Sequence, residues 1–310
     1  MRLKLSKTEQ RNSRSRGIDR KRALEIIRLM NEEDARVADS VRRELPRIAK
    51  VVDAIVKAFR SGGRLIYVGA GTSGRQAVLD AAECPPTFGT TPDLVTAIIA
   101  GGERAVRFAS EDAEDSAANG ALELRRAGVS GRDVVVGISA SGTTPFVLGA
   151  MRFARRRGAT TVAVTSNAGS PVARQADISI EPDTGPEVIS GSTRLKAGTA
   201  QKMVLNMLST ASMVRLGRVY DNWMVYLALT NGKLQRRGAQ ILREITGAGA
   251  SAAEHALRQT GHNLPAAIVM LKTSASAHDA RRFIEASGGH VRSAIDAANK
   301  SEKRAKNRRS

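Results

Sequence analysis

Two short apolar segments of the chain each run directly into a loop of glycine and hydroxyl residues. Residues 65–68 lead into a first loop, residues 69–74, which reads Gly-Ala-Gly-Thr-Ser-Gly, and residues 134–138 lead into a second loop, residues 139–144, which reads Ser-Ala-Ser-Gly-Thr-Thr. Short β-branched runs closed by small residues are typical of buried parallel strands. A helix predicted after each loop directs N–H groups and hydroxyls outward at its N-terminus, where phosphate binds. The two loops therefore predict a phosphorylated small molecule held between them.

Apolar segments and helical patterns alternate between residue 64 and about residue 181. The predicted strands are residues 65–68, 94–99, 134–138, 161–165 and 178–180. This alternation indicates an α/β fold in which helices cover both faces of a doubly wound parallel sheet. Ligands of such sheets bind beyond the carboxyl ends of the strands, which is where both loops lie.

The pattern divides the chain into four predicted parts. Residues 1–60 are a basic segment with helices, of which the polar residues 1–17 are expected to be mobile. Residues 61–248 are the loop-bearing domain, with two long helices at about 195–216 and 222–245. After a glycine-rich linker at 246–251, residues 249–298 form a small helical subdomain, and residues 299–310 are a disordered basic tail.

Charge and composition narrow the class of protein. The net charge is +19, but only 3% of the residues are aromatic, which leaves few platforms for stacking bases. A soluble protein with charged ends is therefore favoured over a specific nucleic-acid partner. No apolar run approaches the ~20 residues of a membrane span, no signal peptide is evident, and the single cysteine, Cys84, excludes an intrachain disulfide. We therefore expect no membrane partner and a cytoplasmic location.

The first loop formally satisfies the dinucleotide fingerprint G-x-G-x-x-G. That fold also places an acidic residue about 20 residues further on, at the end of the second strand, and none stands there. A Walker A loop fails as well, because Arg75 and Gln76 occupy the Lys-Ser/Thr positions. A nucleotide site is therefore disfavoured.

Carboxylates are the candidates for acid–base chemistry. All four histidines lie in the C-terminal part of the chain, no residue spacing resembles a metal site, and Cys84 is expected to be a small buried residue. The acidic candidates are Glu83, Glu103, the cluster at 111–115 and Glu187. Glu83 stands out because it lies between an apolar helix and a Cys-Pro-Pro turn, but the residues alone leave open which carboxylates act.

Several segments together resemble the N-acetylmuramic acid 6-phosphate etherase family of the sugar isomerase (SIS) domain superfamily. They include the first strand and loop at 65–74, Leu-Asp-Ala-Ala-Glu-Cys-Pro-Pro-Thr at 79–87, and Gly-Ser-Thr-Arg-Leu-Lys-Ala-Gly-Thr-Ala-Gln-Lys at 191–202. The likeness covers nearly the whole chain. The related glucokinase regulatory protein is also similar, although it is about twice as long. The resemblance implies a flavodoxin-like, three-layer SIS fold and a homodimer.

The resemblance also implies an activity, the hydrolysis of the D-lactyl ether of N-acetylmuramic acid 6-phosphate in amino-sugar catabolism and cell-wall recycling. It identifies Glu83 as the acid and Glu114 as the base, a division that stays open between the two. Elimination and water addition need no metal or cofactor. The alternative is a non-catalytic sugar-phosphate sensor, similar to the regulatory relative.

The same resemblance identifies the residues that hold the phosphate. Direct contacts are implied for the hydroxyls of four residues, with two further residues supporting the backbone turns: Ser73, Ser139, Ser141 and Thr144, and then Thr72 and Gly142. Two positions depart from the family: Ser139 stands where the etherases usually have alanine, which restores the broader sugar isomerase pattern, and Thr143 stands where they have arginine. The etherases usually read Ala-Ala-Ser-Gly-Arg-Thr-Pro where this chain has Thr143, and the loss of that cation is expected to weaken binding or to alter specificity.

Overall fold

The computed structural model describes residues 6–307. The chain divides into two compact units. The first contains residues up to 82 together with residues 91–212, and the second contains residues 83–90 and the chain from residue 213 onward. The sheet and both loops belong to the first unit.

The first unit is built on a five-stranded parallel sheet. Its strands are β1 (Leu65–Gly69), β2 (Val95–Ile99), β3 (Val134–Ile138), β4 (Thr160–Val164) and β5 (Ile178–Ile180). They lie in the order β2-β1-β3-β4-β5, which is the flavodoxin-like order. Every residue of β1 and β3 is buried, as expected for strands covered on both faces. The predicted α/β fold is confirmed, and each predicted strand lies within one residue of its observed bounds.

Helices of very different length surround this sheet. They are α1 (Ala23–Asp34), α2 (Val37–Arg42), α3 (Leu45–Arg60), α4 (Gly71–Phe88), α5 (Arg104–Arg107), α6 (Ala117–Arg126), α7 (Pro145–Arg156), α8 (Pro171–Gln175) and α9 (Lys196–Arg215). In α3, Pro46 lies in the first turn, where a missing N–H costs nothing. The buried face of α3 then repeats at helical spacing through Ile48, Val52 and Ile55.

The N-terminal segment is more ordered than the sequence predicts. Thr8, Asn12 and Ser15 are buried, and residues 6–20 form three short 3₁₀ turns. The Asn12 amide donates to Glu33 Oε2 at 2.9 Å and to the Pro186 carbonyl at 3.1 Å. The expectation of mobility is therefore wrong for residues 6–17, because side-chain hydrogen bonds hold them against distant parts of the chain. Residues 1–5 lie outside the described residues.

The second unit is largely helical. Its helices are α10 (Gly232–Thr246), α11 (Ala250–Gln259), α12 (Leu264–Lys272), α13 (Ala277–Ala286) and α14 (Val291–Asn307). Ile241 and Leu242 of α10 belong to the same apolar core as Leu257 and Ile268. The division of the chain therefore falls at 212/213, not at the predicted 248/249, because α10 packs with the helices that follow it.

Two further sequence predictions for this unit need correction. The helix expected from residue 222 begins only at Gly232, where Asn231 accepts a cap hydrogen bond from Leu234 N at 2.9 Å. The expected disordered tail is wrong for residues 299–307, which extend α14. Ala294 and Ala298 bury one face of that helix, and the Glu, Lys and Arg residues that follow favour helix. Residues 308–310 lie outside the described residues. Within residues 6–307, no helix combines the length and apolar character needed to cross a membrane.

Candidate functional site

The first loop makes a tight turn from β1 into α4. A Cβ at Gly69 would lie only 2.7 Å from the backbone nitrogen of Gly74, so a larger residue there would collide with the helix. Ser73 is buried in the first turn of α4, and Thr72 is half-buried beside it. First-turn amides of a helix have no acceptor within the helix, so this turn supplies N–H donors at the carboxyl edge of the sheet.

The second loop carries a connected network of hydroxyls. Ser139 Oγ lies 2.8 Å from Thr144 Oγ1 and accepts the Gly142 N–H at 3.0 Å. Ser141 Oγ lies 3.4 Å from Ser139 Oγ and 2.9 Å from Thr143 Oγ1. Thr144 is the N-cap residue of α7, yet its side chain does not cap the helix. The first turn of α7 therefore keeps N–H donors that its own N-cap does not occupy.

Gly142 lets the second loop pack directly on the start of α8. Its φ is +71°, and a Cβ there would lie 2.1 Å from Ser170 Oγ, so only glycine fits without displacement. The Gly142 carbonyl accepts the Val172 N–H at 3.0 Å. The start of α8 thus holds the second loop in place. A binding loop needs such rigid support.

The residues after β4 brace the second loop, and the sequence analysis missed them. The Ala140 carbonyl accepts the Ser166 N–H at 3.1 Å and the Asn167 amide at 2.9 Å. The same Asn167 amide donates to Thr8 Oγ1 at 3.0 Å, and Asn167 Oδ1 accepts the Lys7 N–H at 2.8 Å. A sequence signal for Asn167 was available, because polar residues directly follow a predicted strand at the ligand-binding edge of the sheet. No local pattern identifies Thr8, which lies 159 residues away in sequence.

The sheet topology brings the two loops to one place. Strands β1 and β3 are adjacent and parallel, and Gly69 pairs with Ile138 at their carboxyl ends. The chain order reverses between these two strands, so the loops flank the topological switch point where ligands of this fold class bind. The six predicted phosphate-binding residues therefore share one edge of the sheet: Thr72, Ser73, Ser139, Ser141, Gly142 and Thr144.

Glu187 is a helix cap in this structure. Its fully buried carboxylate accepts the N–H groups of Lys196 at 3.0 Å and Ala197 at 2.9 Å, at the start of α9. Burial raises the pKa of the Glu187 carboxyl, and these two N–H groups only partly oppose that rise. A Cβ at Gly198 would lie 3.4 Å from Thr72, so the capped end of α9 packs beside the first loop. Of the acidic candidates, Glu187 thus has a role in positioning.

A second buried carboxylate, Asp80, links α4 to its neighbours. Its oxygens accept the Tyr67 hydroxyl at 2.9 Å and the Ser209 hydroxyl at 3.0 Å. Burial raises the pKa of the Asp80 carboxyl, against the lowering effect of both hydroxyls and of the Lys202 charge. Because Tyr67 lies on β1 and Ser209 on α9, this network fixes α4 against the sheet and against α9.

The two carboxylates predicted to carry the chemistry lie on different elements. Glu83 is an exposed residue of α4, in the segment 83–90 that groups with the second unit. Glu114 is half-buried in a 3₁₀ helix, Glu111–Asp115, of the first unit. Their roles therefore stay predictions.

The context of Glu83 differs from the predicted turn. Helix α4 continues through Pro85 and Pro86 to Phe88, so Glu83 lies inside the helix. Each proline lacks an N–H donor and crowds the carbonyl four residues before it, yet the last turn closes, because the Gly89 N–H donates to the Pro85 carbonyl at 3.0 Å. Cys84 is buried, as predicted.

The two loops and the histidines belong to different units. All four histidines belong to the second unit: His255, His262, His278 and His290. Among the side chains that the structure describes, no group of three His, Cys, Asp or Glu residues is arranged to hold a metal ion. The sheet edge therefore presents hydroxyls and amides to a ligand, the donor set for a phosphate group.

Two family models match overlapping parts of the chain. The glucokinase regulatory protein N-terminal SIS domain matches residues 47–155, and the SIS domain matches residues 116–211. Together they cover the sheet, both loops and most of α9.

Similarity to curated proteins extends over nearly the whole chain. The N-acetylmuramic acid 6-phosphate etherase of Mycolicibacterium smegmatis is 52% identical over 297 residues, which cover 96% of this chain and 100% of that protein. The protein of the same name from Klebsiella aerogenes is 48% identical, over 95% of this chain and 99% of its own length. The one from Geobacillus thermodenitrificans is also 48% identical, over 93% and 98%.

Proposed function

Because the chain belongs to the N-acetylmuramic acid 6-phosphate etherase family, we propose that it hydrolyses the D-lactyl ether of N-acetylmuramic acid 6-phosphate. The products are N-acetylglucosamine 6-phosphate and D-lactate. The observation that carries this proposal is the identity of about half of all residues with named etherases along their full length. The same observation disfavours a non-catalytic sensor, since the named etherases match nearly the whole chain, whereas the domain model of the regulatory protein matches residues 47–155.

The two loops hold the 6-phosphate of the substrate in this proposal. The first turns of α4 and α7 supply N–H donors, and the hydroxyls of Ser73, Ser139, Ser141 and Thr144 complete the donor set. Thr72 and Gly142 support the two turns. Anchoring the phosphate at the β1/β3 switch point leaves the sugar and its lactyl group to extend beyond the carboxyl edge of the sheet.

The reaction proceeds by elimination and water addition. In the open-chain sugar, C2 lies next to the C1 aldehyde and the lactyl ether oxygen is attached to C3. A base removes the C2 proton, the electron pair forms the C2–C3 double bond, and the C3–O bond breaks as lactate leaves with a proton from an acid. Water then adds its hydroxyl to C3 and a proton to C2. The sum is one water consumed and one ether cleaved, without any change of oxidation state.

Glu114 is the proposed base at C2, and Glu83 is the proposed acid that protonates the leaving lactate and then activates water. The family resemblance supports both roles at the matching positions. Two carboxylates suffice because every step is a proton transfer coupled to bond cleavage or formation.

The wider context of the enzyme follows from the same family. We propose a cytoplasmic homodimer that acts in amino-sugar catabolism and cell-wall recycling. Its expected partners are a sugar phosphate and a second copy of the chain, with no membrane and no specific nucleic acid.

Incubation with N-acetylmuramic acid 6-phosphate in heavy water tests the activity. We expect release of D-lactate and one deuterium at C2 of N-acetylglucosamine 6-phosphate, because the C2 proton is lost to solvent and replaced. Folded protein that releases no lactate would overturn the proposed function. Lactate release without deuterium at C2 would overturn the elimination mechanism alone.

A further inference from the structure

A groove between α10 and α11 is a feature of the second unit that the proposed function does not use. Its volume is about 540 Å³, within the range of small-molecule sites. The basic residues that line it are Arg236, Arg243, Arg258 and His262, and we call it the arginine groove. None of the loop residues at the sheet edge contributes to it.

Helical spacing places two of the three arginines on the same side of the arginine groove. Arg236 and Arg243 are seven residues apart on α10, which puts them on the same face and about 10 Å apart along the helix axis. Arg258 reaches the groove from α11, on the opposite side. Guanidinium groups from two sides of a cleft suit an anion that accepts several N–H donors at once.

The charge count favours a doubly negative ligand. The only acidic residue lining the groove is Glu254, whose Oε2 lies 3.8 Å from Arg258 Nη1. Both side chains of that pair are more than 60% exposed, so the pair is weak and leaves Arg258 able to bind another anion. Three arginines against one carboxylate give these four side chains a net charge of +2.

His262 adds a backbone feature to the groove. Its φ is +61°, a left-handed conformation that few non-glycine residues adopt, and it directly follows Gly261 at φ +60°. The His262 N–H donates to the Leu257 carbonyl at 2.7 Å, which fixes this turn at the end of α11. Together with the Gly261 N–H, which donates to the Arg258 carbonyl at 3.1 Å, this bond forms a Schellman cap that holds the His262 backbone beside the groove.

We propose that the arginine groove binds a small molecule that carries a phosphate dianion, at a site separate from the two loops. A phosphate monoester carries −1.5 to −2 charges at pH 7, which matches the groove's charge of +2. Arginine forks bind its oxygens in pairs, and a cleft of this size holds the organic part of such a ligand.

The four histidines allow a site-specific test with pyrophosphate as the probe. In imidazole ¹H–¹⁵N spectra of the full-length protein, we expect pyrophosphate to shift the His262 signals saturably while those of His278 and His290 stay unchanged. Arg236→Gln and Arg258→Gln should each raise the Kd about tenfold, because each removes a charge-assisted contact. Arg304→Gln, an exposed arginine of α14 outside the groove, should leave the Kd unchanged.

The outcomes separate this site from the loops and from nonspecific charge. No saturable shift, equal shifts of all four histidines, or an unchanged Kd in both groove variants would overturn the proposal. Loss of the His262 shift in Ser139→Ala would also overturn it, because the probe would then act from the second loop. Thermal unfolding of each variant verifies that it is folded. Because none of these readouts needs turnover, failure here leaves the etherase activity untouched.

Discussion

The side-chain oxygens of Ser139 and Thr144 lie 2.8 Å apart at the start of α7. Ser139 Oγ also accepts the Gly142 N–H, so one hydroxyl connects the start of the second loop to its middle and to its end. We expect Ser139→Ala to raise KM for N-acetylmuramic acid 6-phosphate about 10- to 100-fold, the effect of losing a hydrogen bond to a charged group, with a smaller change in kcat. Initial rates of D-lactate release measure both constants.

Ser61→Ala is the matched control for that variant. Ser61 is exposed and its hydroxyl donates only to the Lys57 carbonyl of its own helix, so KM should not change. A KM for Ser139→Ala equal to that of the unmodified protein would contradict a role of the second loop in phosphate binding.

Glu83→Gln and Glu114→Gln should fail at different steps. Removal of a general acid or base costs about 10²- to 10⁴-fold in rate, so both variants should release lactate far more slowly. Glu83→Gln keeps the base and should still exchange the C2 proton of the substrate for deuterium. Glu114→Gln should lose this exchange as well. Proton NMR of the substrate in heavy water distinguishes the two.

Glu103→Gln is the control for the carboxylate pair, since Glu103 is an exposed acidic residue with no proposed role. If Glu114→Gln retained exchange while Glu83→Gln lost it, the assignment of acid and base would be reversed. If either variant kept full activity, that residue would be removed from the mechanism.

Thr8→Val should weaken substrate binding by the second loop, although Thr8 lies far from that loop in sequence. The change removes the oxygen that accepts from Asn167 Nδ2 while keeping the volume of the side chain, so the brace on Ala140 loses one anchor. We expect a rise in KM of a few-fold with kcat nearly unchanged. Steady-state kinetics measure this, and Thr199→Val on α9, whose hydroxyl donates to the Leu195 carbonyl just before that helix, is the control. An effect on kcat alone would contradict a role through the loop.

The sheet and its loops could be predicted from the sequence because their signals are local. Short β-branched runs that lead into small residues predict buried strands, and the predicted bounds of β1 and β3 agree with the observed ones to within one residue. The hydroxyl-rich loops follow directly from those strands. The start of α10 was harder to predict. The irregular segment before Asn231 resembles a helix in sequence, so the predicted helix began before the Asn231 cap.

The brace and the positioning residues could not be predicted in this way. Thr8 and Asn167 come into contact only in the folded protein. Glu187 caps α9 because the fold places the Lys196 N–H against its carboxylate. Burial, which decides whether a carboxylate positions a helix or meets solvent, is a property of the packed structure. Local sequence therefore predicts the candidate donors of the site but not the residues that hold them.

Thr143→Arg should strengthen phosphate binding. Thr143 is exposed, and its hydroxyl lies 2.9 Å from Ser141 Oγ, so an arginine there reaches solvent without entering the core. Restoring the cation that the family usually has should lower KM about three- to tenfold, and the gain should shrink as salt screens the charge. Kinetics at two ionic strengths measure this. Thr143→Gln, long but neutral, is the control, and an equal gain there would contradict an effect of charge.

Asp133→Asn should destabilise the protein in a pH-dependent way. Burial raises the pKa of the Asp133 carboxyl, but hydrogen bonds from Arg64 and from the backbone of Ser130 and Arg64 outweigh it, so the pKa lies below its ordinary value of 3.8. The carboxylate therefore contributes stability above pH 3.8 that is lost as the pH falls further. At pH 7 the variant should lose about 2–4 kcal/mol of unfolding free energy, less than for a fully buried pair because Arg64 is 30% exposed. Urea unfolding at pH 7 and pH 3 measures this loss, which should shrink at pH 3.

In Asp39→Asn, which breaks an exposed pair with Arg42, the loss should stay below about 1 kcal/mol. A loss in Asp133→Asn that is equal at both pH values would contradict the lowered pKa.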